Sequence, residues 1–156
     1  MNDATQTPIR ILSVEDNPAD KRLISEILRM SQLLTKVEFV TDGMEALEYL
    51  YRRGKYADRE LPDLVLLDLT LPRVDGYEVL QTIKSDAGLR TLPVLILTGS
   101  KNHEDVRRSY ELHANTYIVK PFDLDDLTTV MRGIEDYWLK IAQLPSRAFE
   151  AARSFN

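Results

Sequence analysis

The chain has 156 residues, 44% of them hydrophobic and 29% charged, which is typical of one globular domain with a packed core. Its formal net charge of −5 excludes an overall basic footprint for nucleic acid, and the absence of cysteine excludes a disulfide framework or a thiolate metal site. The first residues, MNDATQTP, are too polar for a signal peptide, and no apolar run reaches the ~18 residues of a membrane span. We therefore expect a cytoplasmic protein that works with other proteins and not with nucleic acid or a membrane.

Short apolar runs alternate along the chain with segments of helical spacing, a pattern that indicates parallel strand–helix–strand units. The sequence therefore predicts an α/β fold with a five-stranded parallel sheet. The predicted strands are Ile9 to Val14, Val37 to Val40, Leu64 to Leu69, Val94 to Leu97 and Tyr117 to Val119.

Five helices are predicted between and after these strands. Asn17 is a suitable N-cap for the first, followed by Pro18 at a position that tolerates proline, and Asp123 is a suitable N-cap for the last. The apolar face of the fourth helix is thin, so we expect that helix to be the most mobile of the five. The second, third and fourth helices are predicted at Gly43 to Arg52, Tyr77 to Ser85 and His103 to Leu112.

The last helix is predicted to extend to Leu144, about two turns beyond the reach of a five-residue strand. Trp138 and Ile141 continue its apolar stripe over this overhang, with Tyr137 on the flank, so we expect another segment to cover it. One candidate is the tail RAFEAARSFN, folded back on the helix. The chain is accordingly divided into a flexible N-terminus (1–8), a folded domain (9–144) and a C-terminal tail (145–156).

Polar residues stand at the ends of four of the five predicted strands. They are Glu15 and Asp16 after the first, Asp68 in the third, Thr98 after the fourth and Lys120 after the fifth. The carboxyl ends of parallel strands share one sheet edge, where open α/β folds bind ligands, so these side chains are expected to gather there. Three crowded carboxylates need a compensating cation, and Mg²⁺ suits a set of oxygen ligands.

Asp68 is the best candidate for a nucleophile, because its carboxylate is ionised at pH 7 and needs no general base. Transfer of a phosphoryl group to it is stabilised mainly by charge and positioning. Lys120 supplies an ammonium for that purpose and Thr98 a hydroxyl donor. Each of these residues alone also has an ordinary structural explanation, as a turn residue, a strand hydroxyl or a solvated charge, and the combination favours the functional interpretation.

Four motifs then resemble the receiver domain of bacterial two-component response regulators: VEDNP (14–18), LLDLTLPRVDGYEVL (66–80), LTGS (97–100) and YIVKPF (117–122). The resemblance implies a flavodoxin-like, doubly wound sheet of order 2-1-3-4-5 with five helices. It implies that Asp68 is the phosphoacceptor and that Lys120 assists. In this family pattern Thr98 and Tyr117 are the switch residues. Mg²⁺ or Mn²⁺ would be held by Glu15, Asp16, Asp68 and the backbone carbonyl of Thr70.

The same resemblance implies a partner and a mechanism. A histidine kinase would phosphorylate the domain, and the surface formed by the fourth helix, fifth strand and fifth helix would then change its partners. Family members commonly have a cis bond at the position of Lys120–Pro121, so we expect a cis bond there. The EDNPAD opening and the GIEDYWL stretch are similar to small stand-alone regulators of bacterial and cyanobacterial phytochrome kinases, which implies a homodimer. Its predicted contact residues are Ile134, Tyr137, Trp138 and Ile141.

Two other functions stay open from the sequence. An aspartyl-nucleophile phosphatase of the haloacid-dehalogenase type would need a second acid two residues after Asp68, where this chain has Thr70. A receiver-fold module that binds partners without phosphorylation is the other alternative. We expect a stoichiometric phosphoacceptor and not a turnover enzyme.

Overall fold

The computed structural model describes residues 7–153. Within this range one sheet is formed by parallel strands in the order β2-β1-β3-β4-β5, as predicted. No helix in the described range is both long and apolar enough to cross a bilayer. The strands are β1 (Ile9–Val14), β2 (Thr35–Val40), β3 (Leu64–Leu67), β4 (Val94–Thr98) and β5 (Thr116–Val119).

Helices cover both faces of the sheet. Asn17 and Asp123 are the N-caps of the first and fifth, and their side chains accept hydrogen bonds from backbone N–H groups of the first turn, as the sequence indicated. The helices that follow the strands are α1 (Pro18–Arg29), α2 (Gly43–Leu50), α3 (Gly76–Ser85), α4 (His103–Glu111) and α5 (Leu124–Ile134).

The apolar core is divided by the sheet into two clusters. One side packs α2 and α3 on strand residues such as Leu12 and Leu67, and the other packs α1 and α5 on residues such as Leu66 and Leu95. Alternate residues of each central strand therefore point into opposite clusters, as the two-residue period of a strand requires. Every residue of the central strands β3 and β4 is buried, and this packing fixes the positions of their carboxyl ends.

The extension of α5 is not the regular helix that the sequence predicts. A π-helical segment, Glu135–Ile141, follows Ile134, and the helix ends three residues before the predicted Leu144. A wider turn of this kind shifts the inward position, so Leu139 is buried while Ile141 is 68% exposed. The period of an ordinary α-helix could not have predicted this shift.

Burial reduces the set of side chains that are available for the predicted dimer contact. Ile134 is 5% exposed and packs in the α1–α5 cluster, so its side chain is not available to a second copy, contrary to its inclusion in the predicted interface. Trp138 is partly buried against the same cluster. Tyr137 and Ile141 remain on the surface.

The C-terminal tail forms a further helix, α6 (Pro145–Arg153), at the amino edge of the sheet. Its anchor is the buried carboxylate of Asp63, which accepts hydrogen bonds from the Ser146 hydroxyl and from the Arg147 guanidinium at 3.2 Å. Arg147 also donates to the carbonyl of Pro8 at 2.6 Å. Residues 1–6 of the predicted flexible N-terminus and residues 154–156 of the tail lie outside the described range.

Helix α4 is held by polar contacts, which agrees with its thin apolar face. Asp105 accepts hydrogen bonds from the Tyr77 hydroxyl of α3 and from the Ser100 hydroxyl, the latter at 2.5 Å. The Arg108 guanidinium lies 3.9 Å from the centre of the Tyr77 ring. The bonds from Ser100 and Tyr77 hold the pKa of Asp105 below its usual range. The ionised form of Asp105 therefore fastens α4 to α3 and to the β4–α4 loop.

We predict that α4 loosens when Asp105 takes up a proton. A carboxyl group whose folded pKa is lowered contributes stability above its unfolded pKa, and that contribution is lost as the pH falls below about 4. Asp105→Asn should mimic the protonated state at neutral pH and speed amide hydrogen exchange in α4 by roughly tenfold.

Glu111→Gln is the matched control, because it removes the same charge from an exposed position of the same helix. Exchange in α4 should be nearly unchanged in this control. Equal exchange rates in the two variants would contradict the anchoring role of Asp105.

Candidate functional site

The carboxyl edge of the sheet brings the predicted site residues together. Backbone hydrogen bonds continue the ladder past the strand ends: the N–H of Asp68 donates to the Val14 carbonyl at 3.1 Å, and that of Lys120 donates to the Thr98 carbonyl at 2.6 Å. The first bond holds the backbone after β3 against β1, and the second holds the backbone after β5 against β4. Because β1 and β3 are neighbours in the sheet, the acids after them share one crevice.

Three acids form a compact oxygen cluster in this crevice. Among the described residues, Glu15, Asp16 and Asp68 each offer one carboxylate oxygen, and these three oxygens lie within 4.8 Å of one another. Oxygens that share one Mg²⁺ at about 2.1 Å are at most about 4.2 Å apart, so small side-chain adjustments suffice. Glu15 and Asp68 are only 2% and 7% exposed, whereas Asp16 is exposed. The donors are hard oxygens, and they fit a divalent cation such as Mg²⁺ or Mn²⁺.

Lys120 lies in the middle of the carboxylates. Its Nζ is 2.7 Å from Glu15 Oε2, 3.2 Å from Asp68 Oδ2 and 2.9 Å from Oδ2 of a residue the sequence did not single out, Asp20. Asp20 is on the first turn of α1, which follows β1 at the same edge. The sequence offered a signal for it, because an acid in this turn stands at the carboxyl edge of the sheet.

Burial and charge act in opposite directions on the ionisable groups of the site. Burial raises the pKa of Glu15, and the hydrogen bond from Lys120 opposes that effect. Burial alone would lower the pKa of Lys120, but the hydrogen bonds to Glu15 and Asp20 and the charge of Asp68 raise it instead. Lys120 is therefore an ammonium throughout the physiological pH range.

Asp68 is held firmly by the loop that follows β3. One of its oxygens, Oδ1, accepts a hydrogen bond from the backbone N–H of Thr70 at 3.1 Å, which leaves Oδ2 facing Lys120. The backbone of Gly76 packs so closely on the backbone of Asp68 that a Cβ atom at residue 76 would lie 2.4 Å from the Asp68 carbonyl oxygen. A side chain at residue 76 would displace the loop, which explains a glycine that sequence reasoning did not connect with the site.

The two predicted switch residues are joined through the β4–α4 loop. Thr98 ends β4 and is 1% exposed. Tyr117 is partly buried against the α2–α3 cluster, and its hydroxyl donates to the carbonyl of Ser100 at 2.9 Å. Tyr117 is thus tied to the loop that begins directly after Thr98. The Lys120–Pro121 bond is trans, so the predicted cis bond is wrong.

Comparison with known proteins identifies the family of this chain. The model of the family described as response regulator receiver domain matches residues 11–132. Response regulator Rcp1 of Synechocystis sp. is 43% identical over 146 residues, which cover 94% of this chain and 99% of Rcp1. A probable methanogenesis regulatory protein, FilR2 of Methanothrix harundinacea, is 42% identical over 143 residues and 92% of each chain.

Solved structures give the same result. The phosphorylated cyanobacterial phytochrome response regulator RcpA is 49% identical, with a TM-score of 0.87 over 89% of this chain and 99% of RcpA. The Mn²⁺-bound form of Rcp1 is 44% identical, with a TM-score of 0.86 over 88% of this chain and 99% of that one. With its strand order and its acid–lysine crevice, the chain belongs to the response regulator receiver domain family.

Proposed function

We propose that this chain is a single-domain response regulator that accepts a phosphoryl group on Asp68 from a histidine kinase. The observation that carries the proposal is the placement of the Asp68 carboxylate, with Oδ2 3.2 Å from the Lys120 ammonium and within the oxygen cluster of Glu15 and Asp16. An ionised carboxylate attacks phosphorus directly, so the phosphorus–nitrogen bond of the donor breaks as a phosphorus–oxygen bond forms.

Each remaining site residue has a proposed part in that transfer. Glu15, Asp16, Asp68 and the backbone carbonyl of Thr70 would hold Mg²⁺ or Mn²⁺. The cation, when bound, offsets negative charge on the phosphoryl oxygens. Lys120 supplies a second positive charge, already positioned beside Asp68. These residues orient the reacting groups and stabilise charge, and phosphoryl transfer to a carboxylate requires no general base.

The output of the phosphorylated domain is proposed to be a shift of the α4–β5–α5 surface. The Thr98 hydroxyl would move toward a phosphoryl group on Asp68, and the β4–α4 loop would move with it. Tyr117 and Asp105 are both bonded to Ser100 in this loop, so β5 and α4 are coupled to its position. A local charge thereby biases a surface that has two arrangements.

A stoichiometric phosphoacceptor is favoured over a turnover phosphatase. Residue 70 is threonine, and its contact with Asp68 is made by its backbone N–H, so no side-chain acid stands at the position such an enzyme would use for proton transfer. A binding module that works without phosphorylation is less consistent with the buried ammonium beside the acids. Burial of these charges costs stability, and such a module would have no need of them.

A phytochrome-type histidine kinase is the proposed upstream partner. The support is similarity along nearly the whole chain to Rcp1 and to RcpA, the latter described as a cyanobacterial phytochrome response regulator. The bacteriophytochrome response regulator AtBRR is also 43% identical, with a TM-score of 0.70. A light-sensing kinase would then supply the phosphoryl group.

We also propose that two copies associate through the end of the α5 extension. Tyr137 and Ile141 are 53% and 68% exposed, and Tyr137 packs edge-to-face on the partly buried Trp138. Exposed aromatic and aliphatic side chains that adjoin one another are typical of a contact surface. Contact between the two copies would cover this apolar surface.

The proposed phosphorylation predicts a simple mass change. Incubation with acetyl phosphate and Mg²⁺ should add one phosphoryl group to the wild-type chain, because Asp68 is positioned to attack. Asp68→Asn should add none, and a chelator should abolish the reaction of the wild type. Intact mass spectrometry measures all three results.

Asp58→Asn serves as the control, since Asp58 is an exposed acid outside the crevice. It should be phosphorylated like the wild type. Phosphorylation of the Asp68→Asn variant, or an unmodified wild-type chain, would refute the assignment of Asp68.

The proposed dimer predicts a change in sedimentation. Ile141→Glu should weaken self-association tenfold or more, because it would place a carboxylate in an apolar contact. Ile141 is a better test position than Trp138, whose packing on the α1–α5 cluster also supports the fold.

Met44→Glu, on the opposite face of the sheet, is the matched control and should sediment like the wild type. A wild-type chain that is monomeric at tens of micromolar, in both phosphorylated and unphosphorylated form, would rule out this contact.

A further inference from the structure

Asp20 contacts the site without belonging to its cation cluster. Its Oδ2 lies 2.9 Å from the Lys120 ammonium, and its side chain is 16% exposed. Among the described residues, the carboxylates close enough to share one ion are Glu15, Asp16 and Asp68, and Asp20 is absent from that group. Its direct partner is therefore the lysine.

Position in α1 explains part of this arrangement and leaves part unexplained. Asp20 is in the first turn, where a negative charge is favourable to the helix, and its backbone N–H donates to the Asn17 side chain. Neither feature requires the carboxylate to reach Lys120. The ammonium already has Glu15 and Asp68 as partners, so a third carboxylate is more than its neutralisation requires.

The extra carboxylate makes the formal charge of the crevice more negative. Glu15, Asp16, Asp20 and Asp68 oppose one ammonium, which gives a formal charge of −3. A bound divalent cation would leave −1, and an anionic phosphodonor would still be repelled. With the divalent cation bound and Asp20 removed, the formal charge of the site would be zero. Lys120 would also have one carboxylate partner fewer.

We propose that Asp20 is a positioning residue that restrains Lys120 and thereby slows phosphorylation of Asp68. The ammonium contacts Glu15, Asp20 and Asp68. It must therefore weaken its bond to Asp20 before it can pair fully with a phosphoryl group on Asp68. Asp20 sets how readily the unphosphorylated domain reacts. This inference rests on the proposed function of Asp68.

Removal of the charge tests the restraint. Asp20→Asn should be phosphorylated by acetyl phosphate about tenfold faster than the wild type at saturating Mg²⁺, the order expected for one charge a few ångströms away after solvent screening. The difference should shrink as salt is raised. Asp20→Glu keeps the charge and should react at nearly the wild-type rate.

Glu26→Gln is the matched control, because it removes one charge from an exposed position of the same helix. It should react like the wild type. An Asp20→Asn rate equal to or below the wild-type rate, or an equal acceleration in Glu26→Gln, would overturn the proposal. Thermal unfolding of each variant separates a general loss of stability from an effect on the site.

A second readout does not depend on phosphorylation. In metal-free protein at low temperature, the ¹H–¹⁵N signal of the Lys120 ammonium, assigned by its loss in Lys120→Met, should shift and exchange faster with water in Asp20→Asn. An unchanged signal overturns the restraint. If the wild-type chain takes up no phosphoryl group, the assignment of Asp68 fails, and this signal still decides whether Asp20 holds Lys120.

Discussion

The ammonium of Lys120 makes it possible for several acids to share one edge of the sheet. Two like charges 4 Å apart repel by about 4 kcal/mol at an effective dielectric constant of 20, which is a large fraction of the stability of a typical domain. Lys120 lies within 3.2 Å of both Glu15 and Asp68 and offsets much of that repulsion. The remaining negative charge attracts a divalent cation. The carboxylates that destabilise the fold by mutual repulsion are therefore also the groups that can bind the cation.

The backbone near the acids is held rigidly by close packing, whereas the elements further from them are held by polar contacts. Buried strands and the close approach of Gly76 fix the backbone at Asp68. Helix α4, by contrast, is fastened by hydrogen bonds of Asp105 and Ser100, and Tyr117 is bonded to the same loop. Hydrogen bonds of this kind can be exchanged for others at small net cost, whereas close packing cannot. The contrast suits the proposed function, in which a fixed phosphorylation site is joined to a movable surface.

Sequence patterns predicted most of this arrangement, because the spacing of apolar residues and the residue types at strand ends are local properties of the sequence. Uninterrupted apolar runs located the strands, and the parallel topology then required Glu15, Asp68 and Lys120 to meet. Features that depend on tertiary context were missed. The sequence places Asp20 at the carboxyl edge of the sheet, but its contact with Lys120 depends on side-chain geometry that the sequence does not give. The π-helical turn after Ile134 changes which side chains face inward, and no period of 3.6 residues reports such a turn.

The central claim is that the ends of β1, β3 and β5 surround one cation site. Paramagnetic broadening by substoichiometric Mn²⁺ in an NMR spectrum of the whole chain tests it most directly. We predict saturable broadening of the amide signals of Asp16, Asp68 and Lys120, reversed by excess Mg²⁺, while Arg147 at the opposite edge of the sheet keeps its signal. Broadening centred elsewhere, or signals near Asp68 that stay sharp, would contradict the account.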